Sequence, residues 1–592
     1  MFIVLTLIFM GFMNHVFVQC AFLCLVSIVI ALKYTPNDAL KLLALGCFFM
    51  LSLNLNLPSF QTHYRVIEKR DTWYVLRNGV NKYYSSGDGN LEFDAVYQFE
   101  GDIIPLESKN HFQSINRYQG TLNGEFTKQV KKPRPIHRFL QSAYKDYPIL
   151  LDFIYKDSQH IFVSLALHFY AIEQLLIWST RRVLTKEKRN ALYRIIIGLY
   201  GYAFGFSLNC VRHLMRGVDL KPETKMLILL FMFPYAQFHL GFIIAYFPTL
   251  IQEISGPIPK KSFEVARLFL IHTLSGSVHI LQMVLFKVWV ILFAGVYLFM
   301  ILRMNTLATT LLLGYDDFLS VTNRFELRGK IPLLVFGMCL VWKSNPKHYC
   351  IAYLSVVVFM MYFPFPRVMI VDVGQGDAII ITTAFNAHVT VIDTGRAFAL
   401  SNLERALTSL SIRSIDQLII THDDLDHNEN QDYLMDVYDV KSLITQKQST
   451  VHFLYELLGD VTYEESNENS LIFILQTKRL SFLFTGDAYI KQELDLLKHY
   501  PNLQVDVLKL GHHGSKTSTS ELLVSTLRPT YAIASSNPTI YNHPHPDVMQ
   551  LLHQYRISLL KTSDYGHITF IMSPLFDFVV SQRGHFGIID TR

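Results

Sequence analysis

Two imidazoles and two carboxylates, His422, Asp424, Asp426 and His427, fall inside the run Thr421-His422-Asp423-Asp424-Leu425-Asp426-His427. The run follows Gln417-Leu418-Ile419-Ile420, an apolar segment that reads as a buried strand, so the polar side chains leave its end on a loop. Once the backbone turns there, nitrogen and oxygen donors at this spacing can converge on one or two divalent cations. Three more loops offer donors. Phe484-Thr485-Gly486-Asp487 ends in a carboxylate, Leu510-Gly511-His512-His513-Gly514-Ser515-Lys516 carries two imidazoles, and Asn542-His543-Pro544-His545-Pro546 carries two more. All six cysteines lie in or beside apolar segments, so no thiolate is at hand and a disulfide framework is not expected. Oxygen and imidazole donors favour a hard ion: Mn2+ first, then Mg2+ or Zn2+.

The elements that must position these loops begin at Arg367. Val368 to Val373 reads as a strand, Gly374-Gln375-Gly376-Asp377 as a tight turn, Ala378 to Thr382 and His388 to Ile392 as strands, and Asp393-Thr394-Gly395 as another turn. Later strands alternate with amphipathic helices around Lys491 to His499, Ser520 to Leu527 and Asp547 to Tyr555, which predicts a layered α/β domain over residues 367–592.

Upstream the character differs. Hydrophobic residues make up 51% of the 592-residue chain and charged residues 17%, with a positive mean hydropathy, so a membrane protein with soluble parts is expected. Residues 1–59 read as N-terminal transmembrane helices and 141–366 as a polytopic α-helical membrane core. The core's candidate spans are Ile161 to Trp178, Ala191 to Cys210, Met226 to Leu250, Phe263 to Leu302, Ile331 to Trp342 and Tyr349 to Phe365. Between these regions, residues 60–140 alternate apolar and polar positions with turn signals at Asn78-Gly79, Gly87-Asp88-Gly89 and Gly101-Asp102, the pattern of a small β-barrel. Lys128, Lys131, Lys132 and Arg134 follow in a basic, aromatic stretch suited to DNA, by backbone charge and base stacking, or equally to lipid head groups. The basic loop from Arg181 to Arg189 predicts a cytoplasmic side, which puts the barrel on the outer face of the plasma membrane; the C-terminal domain is expected on that face too. Ser164, His168 and Arg212, polar within the spans, are candidates for lining a channel.

Taken together, His422-x-Asp424-x-Asp426-His427, Thr485-Gly486-Asp487 and His512-His513-Gly514-Ser515 follow the order of motifs in the metallo-β-lactamase superfamily. With Asp372-Val373-Gly374-Gln375-Gly376-Asp377 and Asp393-Thr394-Gly395, this version resembles the C-terminal domain of the competence DNA-internalisation family, the ComEC-type channel proteins. Val163-Ser164-Leu165-Ala166-Leu167-His168 is similar to that family's membrane signature, with Leu165 where the family has glycine. Asn428-Glu429-Asn430 likewise replaces a glycine pair common after the first motif. The resemblance implies an OB-like barrel and a C-terminal αβ/βα metallo-β-lactamase-like sandwich. It also implies a multi-pass channel that receives double-stranded DNA and passes one strand inward during natural transformation, while a metal-dependent nuclease degrades the other. His422, Asp424, Asp426, His427, Asp487, His513 and His545 would then be metal ligands. Asp426, Asp487, His512 and Lys516 would be catalytic, and Ser515 and Lys516 would contact phosphate. No Gly-x-x-x-x-Gly-Lys-Ser/Thr loop is present, so an ATPase or helicase partner is implied, along with a separate DNA receptor and membrane lipids. A membrane-anchored hydrolase acting on an envelope phosphodiester, and a catalytically inactive DNA-guiding domain, are the competing readings.

Overall fold

The computed structural model describes residues 63–69, 73–78, 81–86, 91–92, 94–105, 118–155, 167–204, 206–233, 236, 239, 241–246, 260–322, 325–331, 346–445, 454–458, 467–536 and 542–589. The expected helices of residues 1–59, and Ser164, lie outside the described residues. The chain divides into two compact units, one formed by Met1–Glu326 with Phe336–Tyr349, the other by Leu327–Val335 with Cys350–Arg592.

In the first unit five strands close into a barrel in the order His63–Lys69, Trp73–Asn78, Asn81–Ser86, Tyr118–Lys131, Val96–Pro105. Alternate side chains face inward, and Tyr64, Val66, Tyr74, Leu76, Tyr83, Tyr97, Phe99 and Leu122 fill the interior. Closure comes from one parallel pairing, Asn81–Ser86 with Tyr118–Lys131, in an otherwise antiparallel barrel. Lys128, Lys131 and Lys132 are exposed. Arg134 is instead committed within the protein: its Nε and Nη2 donate to buried Asp94 at 3.0 and 2.9 Å, and its Nη1 donates to the Tyr202 carbonyl at 2.7 Å.

The expected polytopic membrane core, and with it a multi-pass location in the plasma membrane, is overturned by the helices themselves. Among the described residues no helix is long and apolar enough to cross a membrane. Crossing the hydrocarbon layer takes about 20 apolar residues. Leu167–Thr180 has 14 residues, and Lys260–Ser275 and Phe286–Ile301 have 16 each. Lys186–Phe204 has 19, but it opens on Lys186, Lys188 and Arg189 and carries Arg194. Two of the apolar runs are interrupted by breaks in the backbone. The apolar run from Ala191 to Cys210 ends its first helix at Phe204, and Ser207 caps a new one by accepting from the Cys210 amide at 3.3 Å. The run from Phe263 to Leu302 breaks at Gly276, where φ is +77°. Within this unit the His168 ring lies tilted against that of Phe169, centroids 4.0 Å apart, and Arg212 donates to Asn209 at 3.2 Å, so both proposed channel residues are engaged in intramolecular contacts.

The second unit is built on two mixed sheets. One has eight strands in the order Leu443–Ile444, Gln417–Ile419, Val389–Ile392, Ile379–Thr382, Arg367–Ile370, Ile568–Met572, Asp577–Ser581, Phe586–Ile589. The other has six, in the order Leu454–Glu456, Phe473–Gln476, Ser481–Phe484, Val507–Lys509, Tyr531–Ala534, Ser558–Lys561. The side-chain period of two decides what each face meets. Val368, Ile370, Ile379 and Ile381 of the first sheet meet Phe473, Phe482, Phe484 and Ile533 of the second in a shared core. Met369, Val371 and Ile380 face outward beneath Leu403, Ala406 and Leu407 of the helix Leu400–Ser409. Leu483, Leu508 and Ala532 face outward beneath Leu496, Leu523 and Leu552. Each Val, Leu, Ile, Met or Phe side chain among these contributes about 1.5–3 kcal/mol on burial.

Parallel strands align their carboxyl ends on one edge of each sheet. Gln417–Ile419 runs parallel to Val389–Ile392, and Val507–Lys509 runs parallel to Ser481–Phe484. The chain therefore delivers Asp393, His422, Asp487 and His512-His513 immediately after strand ends, where open α/β sheets bind their ligands.

At the start of the first turn, the Asp372 amide donates to Nδ1 of buried His567 at 2.9 Å, which requires a neutral ring. Burial, with the charges of Arg405 and Lys330, pushes the His567 pKa down to about 3. A histidine depressed in the folded state contributes stability that is complete above its unfolded value near 6.5 and is lost as pH falls toward 3. His567→Asn, whose side-chain oxygen can accept the same bond, is expected to flatten the pH dependence of urea unfolding across that window. Identical slopes in the two proteins would show that His567 is not held neutral.

Candidate metal centre

Asp393 organises the centre from behind. It sits at the end of Val389–Ile392 with φ +58°, almost wholly buried. Its carboxylate accepts from the Thr421 amide at 2.7 Å and the Thr421 hydroxyl at 2.8 Å, and lies 2.8 Å from His427 Nδ1. A carboxylate so bonded only accepts, so His427 carries its proton on Nδ1 and turns Nε2 forward, 3.3 Å from Asp487 Oδ1. Because Thr421 gives its hydroxyl proton to Asp393, its oxygen is left to accept from His422 Nδ1 at 3.1 Å, which frees His422 Nε2 in turn. Ser470 supports both sides: its hydroxyl accepts from the Asp487 amide at 3.1 Å and lies 3.3 Å from His422 Nδ1.

The second half of the centre comes from the loop after Val507–Lys509. His513 is buried, with Nε2 3.3 Å from Asp426 and 3.5 Å from Asp487, and Nδ1 3.4 Å from Asp377. Asp426 is brought within reach by the glycine turn. The Asp377 amide donates to the Asp426 carbonyl at 3.2 Å, and at Gly376, φ +120°, an added Cβ would lie 2.3 Å from that same carbonyl oxygen, so only glycine fits. Asn430 Nδ2 donates to the Thr394, Gly395 and Arg396 carbonyls at 2.9, 3.0 and 2.9 Å, and Glu429 accepts from the Ala397 amide at 2.9 Å. The residues standing where a glycine pair was expected thus clamp the neighbouring loop.

Charge follows from this geometry. For His427 burial opposes the imidazolium, but Asp487 and Asp393 outweigh it and hold its pKa well above the ordinary value. His513 is likewise opposed by burial and raised by Asp487 and Asp377, to about 9. His422 and His512 go the other way, chiefly through burial. Asp487 stays far below the ordinary carboxylate range because His513 and His427 overcome the cost of burying it.

His422 Nε2, His427 Nε2, both ring nitrogens of His513, Asp487 Oδ1 and Asp377 Oδ1 are all buried without a hydrogen-bond partner. One-atom donors from His422, His427 and Asp487 lie within 4.8 Å of one another, as do those from Asp426, His427 and His513, and from Asp377, Asp487 and His513. Buried polar atoms left unpaired are costly, and converging imidazole nitrogens with a carboxylate match the donor set of a divalent cation.

The remaining candidates fall around this cluster. Asp424 is partly exposed at the rim, 3.7 Å from His422 Nε2. His512 is half-buried, stacked on Tyr489 and paired with Thr517 Oγ1 at 2.9 Å, with Nε2 3.9 Å from Asp487. Lys516 is exposed, while Ser515 is buried and accepts from the Thr517 amide at 3.3 Å. His545 caps Pro546–Gln554, its Nδ1 accepting from the Asp547 amide at 3.2 Å. Asp377, Asp393, Ser470 and Lys509 were not among the candidates. Asp393 did carry a signal, since a carboxylate before a Thr-Gly turn closes an apolar strand.

No family model matches the chain. Among curated proteins it is 29% identical over 253 residues to ComE operon protein 3 of Bacillus subtilis, covering 34% of this chain and 33% of that protein. It is 33% identical over 224 residues to Recombination protein 2 of Haemophilus influenzae, covering 33% and 28%, and 30% identical over 217 residues to Competence protein ComA of Neisseria gonorrhoeae, covering 34% and 31%. The chain spans about a third of the length of the curated relatives it matches. These relatives carry the resemblance to the ComEC-type competence proteins, over about a third of the chain.

Asp393→Ala removes the carboxylate that accepts from the Thr421 amide and hydroxyl and pairs with His427 Nδ1, and breaking a buried pair of this kind costs about 3–5 kcal/mol. Urea unfolding of the metal-free protein is expected to register that loss, with a smaller one for Asp393→Asn, which keeps an acceptor oxygen. A cost below about 0.5 kcal/mol for the alanine variant, the range of a surface change, would remove Asp393 from this role.

Proposed function

We propose that the second unit is a metal-dependent phosphodiesterase that acts on DNA in competence. The observation that carries the chemistry is the convergence of unpartnered His422, His427 and His513 Nε2 atoms on Asp487. The substrate is supported by the relatives, of which one is named a competence protein and another a recombination protein. The channel role receives no support from the described helices, so the proposal is confined to hydrolysis.

His422, His427, His513, Asp426 and Asp487 would hold the cation, Mn2+ by preference, with Mg2+ or Zn2+ as alternatives. When bound, a divalent cation polarises a phosphodiester oxygen and lowers the pKa of a water so that hydroxide forms near neutral pH. His427 and His513 would each present Nε2 to the cation: Asp393 lies 2.8 Å from Nδ1 of His427, and Asp377 lies 3.4 Å from Nδ1 of His513. His512 is the candidate proton carrier. Burial keeps its ring neutral at pH 7, Thr517 holds Nδ1, and Nε2 faces Asp487 and the mouth of the site. Lys516, exposed three residues after His513, is available to a flanking phosphate, and the exposed Lys128, Lys131 and Lys132 are the candidates for further DNA contacts.

The test is cleavage of labelled single- and double-stranded DNA by the purified chain, stripped of metal and then given manganese, magnesium or zinc. Activity is expected to return with a divalent cation. Asp426→Ala and Asp487→Ala are each expected to reduce kcat/KM by at least about 100-fold, as loss of ligands should exceed the effect of their supports. Cleavage that persists unchanged in both variants would end the nuclease reading.

A further inference from the structure

We propose that the buried ion pair of Asp377 and Lys509 is the device that orients His513, holding the ring so that Nε2 points at Asp426 and Asp487. The inference rests on reading the cluster as a metal centre, and it assigns Asp377 and Lys509 a positioning role within it.

Lys509 is the last residue of the strand Val507–Lys509 and only 1% exposed. Its Nζ donates to Asp377 Oδ2 at 2.8 Å and to the Leu510 carbonyl at 3.1 Å. An ammonium this far from water is costly even when paired, and an apolar residue would fill the same volume at no such cost. A buried pair of this kind therefore calls for a reason beyond stability.

The reason lies in the other carboxylate oxygen. With Oδ2 given to Lys509, Asp377 Oδ1 faces His513 Nδ1 at 3.4 Å. The backbone does not orient this ring by itself, since His512 and His513 both sit at positive φ, +45° and +56°, in a turn rather than a regular helix. A tighter version of this arrangement exists at His427, where Asp393 lies 2.8 Å from Nδ1 in a hydrogen bond and Nε2 is turned forward; between Asp377 and His513 the contact is the longer one of an ion pair. The two supports differ in how the carboxylate is balanced: Asp393 is satisfied by Thr421, Asp377 by a full positive charge. That charge also decides between roles for Asp377. Its oxygens lie close enough to His513 and Asp487 to serve as donors, but one is taken by Lys509 and the other faces an imidazole, which makes it a support and not a ligand. Its amide bond to the Asp426 carbonyl ties the same turn to the opposite wall of the site.

The test compares wild type with Asp377→Asn/Lys509→Met, which removes both charges at once and leaves no buried ion unpaired. Manganese affinity is measured by calorimetry, and the His513 ring is located in crystals of both proteins grown without metal. The double variant is expected to keep the far-UV circular dichroism of the fold, to bind manganese about 10- to 100-fold more weakly, and to show the His513 ring rotated or spread over several orientations. Wild-type affinity together with an unmoved ring would overturn the inference. Should the wild type itself bind no manganese, the metal reading falls, and the ring position alone decides whether Asp377 and Lys509 orient His513. If the double variant does not fold, Asp377→Glu, which retains the ion pair while moving the carboxylate, is expected to displace the ring, and an undisplaced ring there counts against the proposal.

Discussion

Burial of carboxylates governs the second unit. Asp377, Asp393 and Asp487 are each at most 2% exposed, and an ionised carboxylate removed from water costs several kcal/mol unless partners replace its hydration. Asp393 is met by the Thr421 amide and hydroxyl and by His427, and Asp377 by the Lys509 ammonium. Asp487 is surrounded by imidazoles of His427 and His513 but keeps Oδ1 without a hydrogen bond. The Nε2 atoms of His422, His427 and His513 beside that oxygen are likewise without hydrogen-bond partners, which supports placing a cation among them.

The architecture supplies this arrangement through strand ends and tight turns. The central strands bury both faces with mostly apolar residues, the polar residues of the site fall where strands stop, and the parallel pairs make several strands stop on the same edge. Glycines then bring the loops together. Gly376 allows the turn after the first strand to reach the Asp426 carbonyl, and Gly486, at φ +48°, lets Asp487 turn in beside Ser470. Asn430 and Glu429 fasten the loop on the far side.

Proximity along the chain was legible, and proximity across it was not. His422, Asp426 and His427 stand within one loop, so their spacing announces shared chemistry; Asp487 and His513 are visible as polar residues closing apolar strands. Asp377 and Lys509 are 132 residues apart and meet only because the sheets face one another. Read alone, Lys509 is a basic residue in an apolar strand, and nothing in its neighbours reveals a buried partner. For His545 the helix start was the signal within the His-Pro-His run: the proline at the first helical position makes His545 a helix cap through Nδ1. For the first unit, composition disclosed apolar runs but not their interruptions, so the break at Gly276 and the restart at Ser207 turned expected spans into shorter helices.

The most direct measurement is the anomalous difference map of a crystal soaked in manganese and collected near the manganese edge. A single strong peak, or a close pair, bounded by His422 Nε2, His427 Nε2, His513 Nε2 and Asp487 is expected, with Asp377 and Asp393 behind the imidazoles and out of contact with the ion. An empty centre in a crystal that takes up manganese elsewhere would contradict the metal-centre reading at its base.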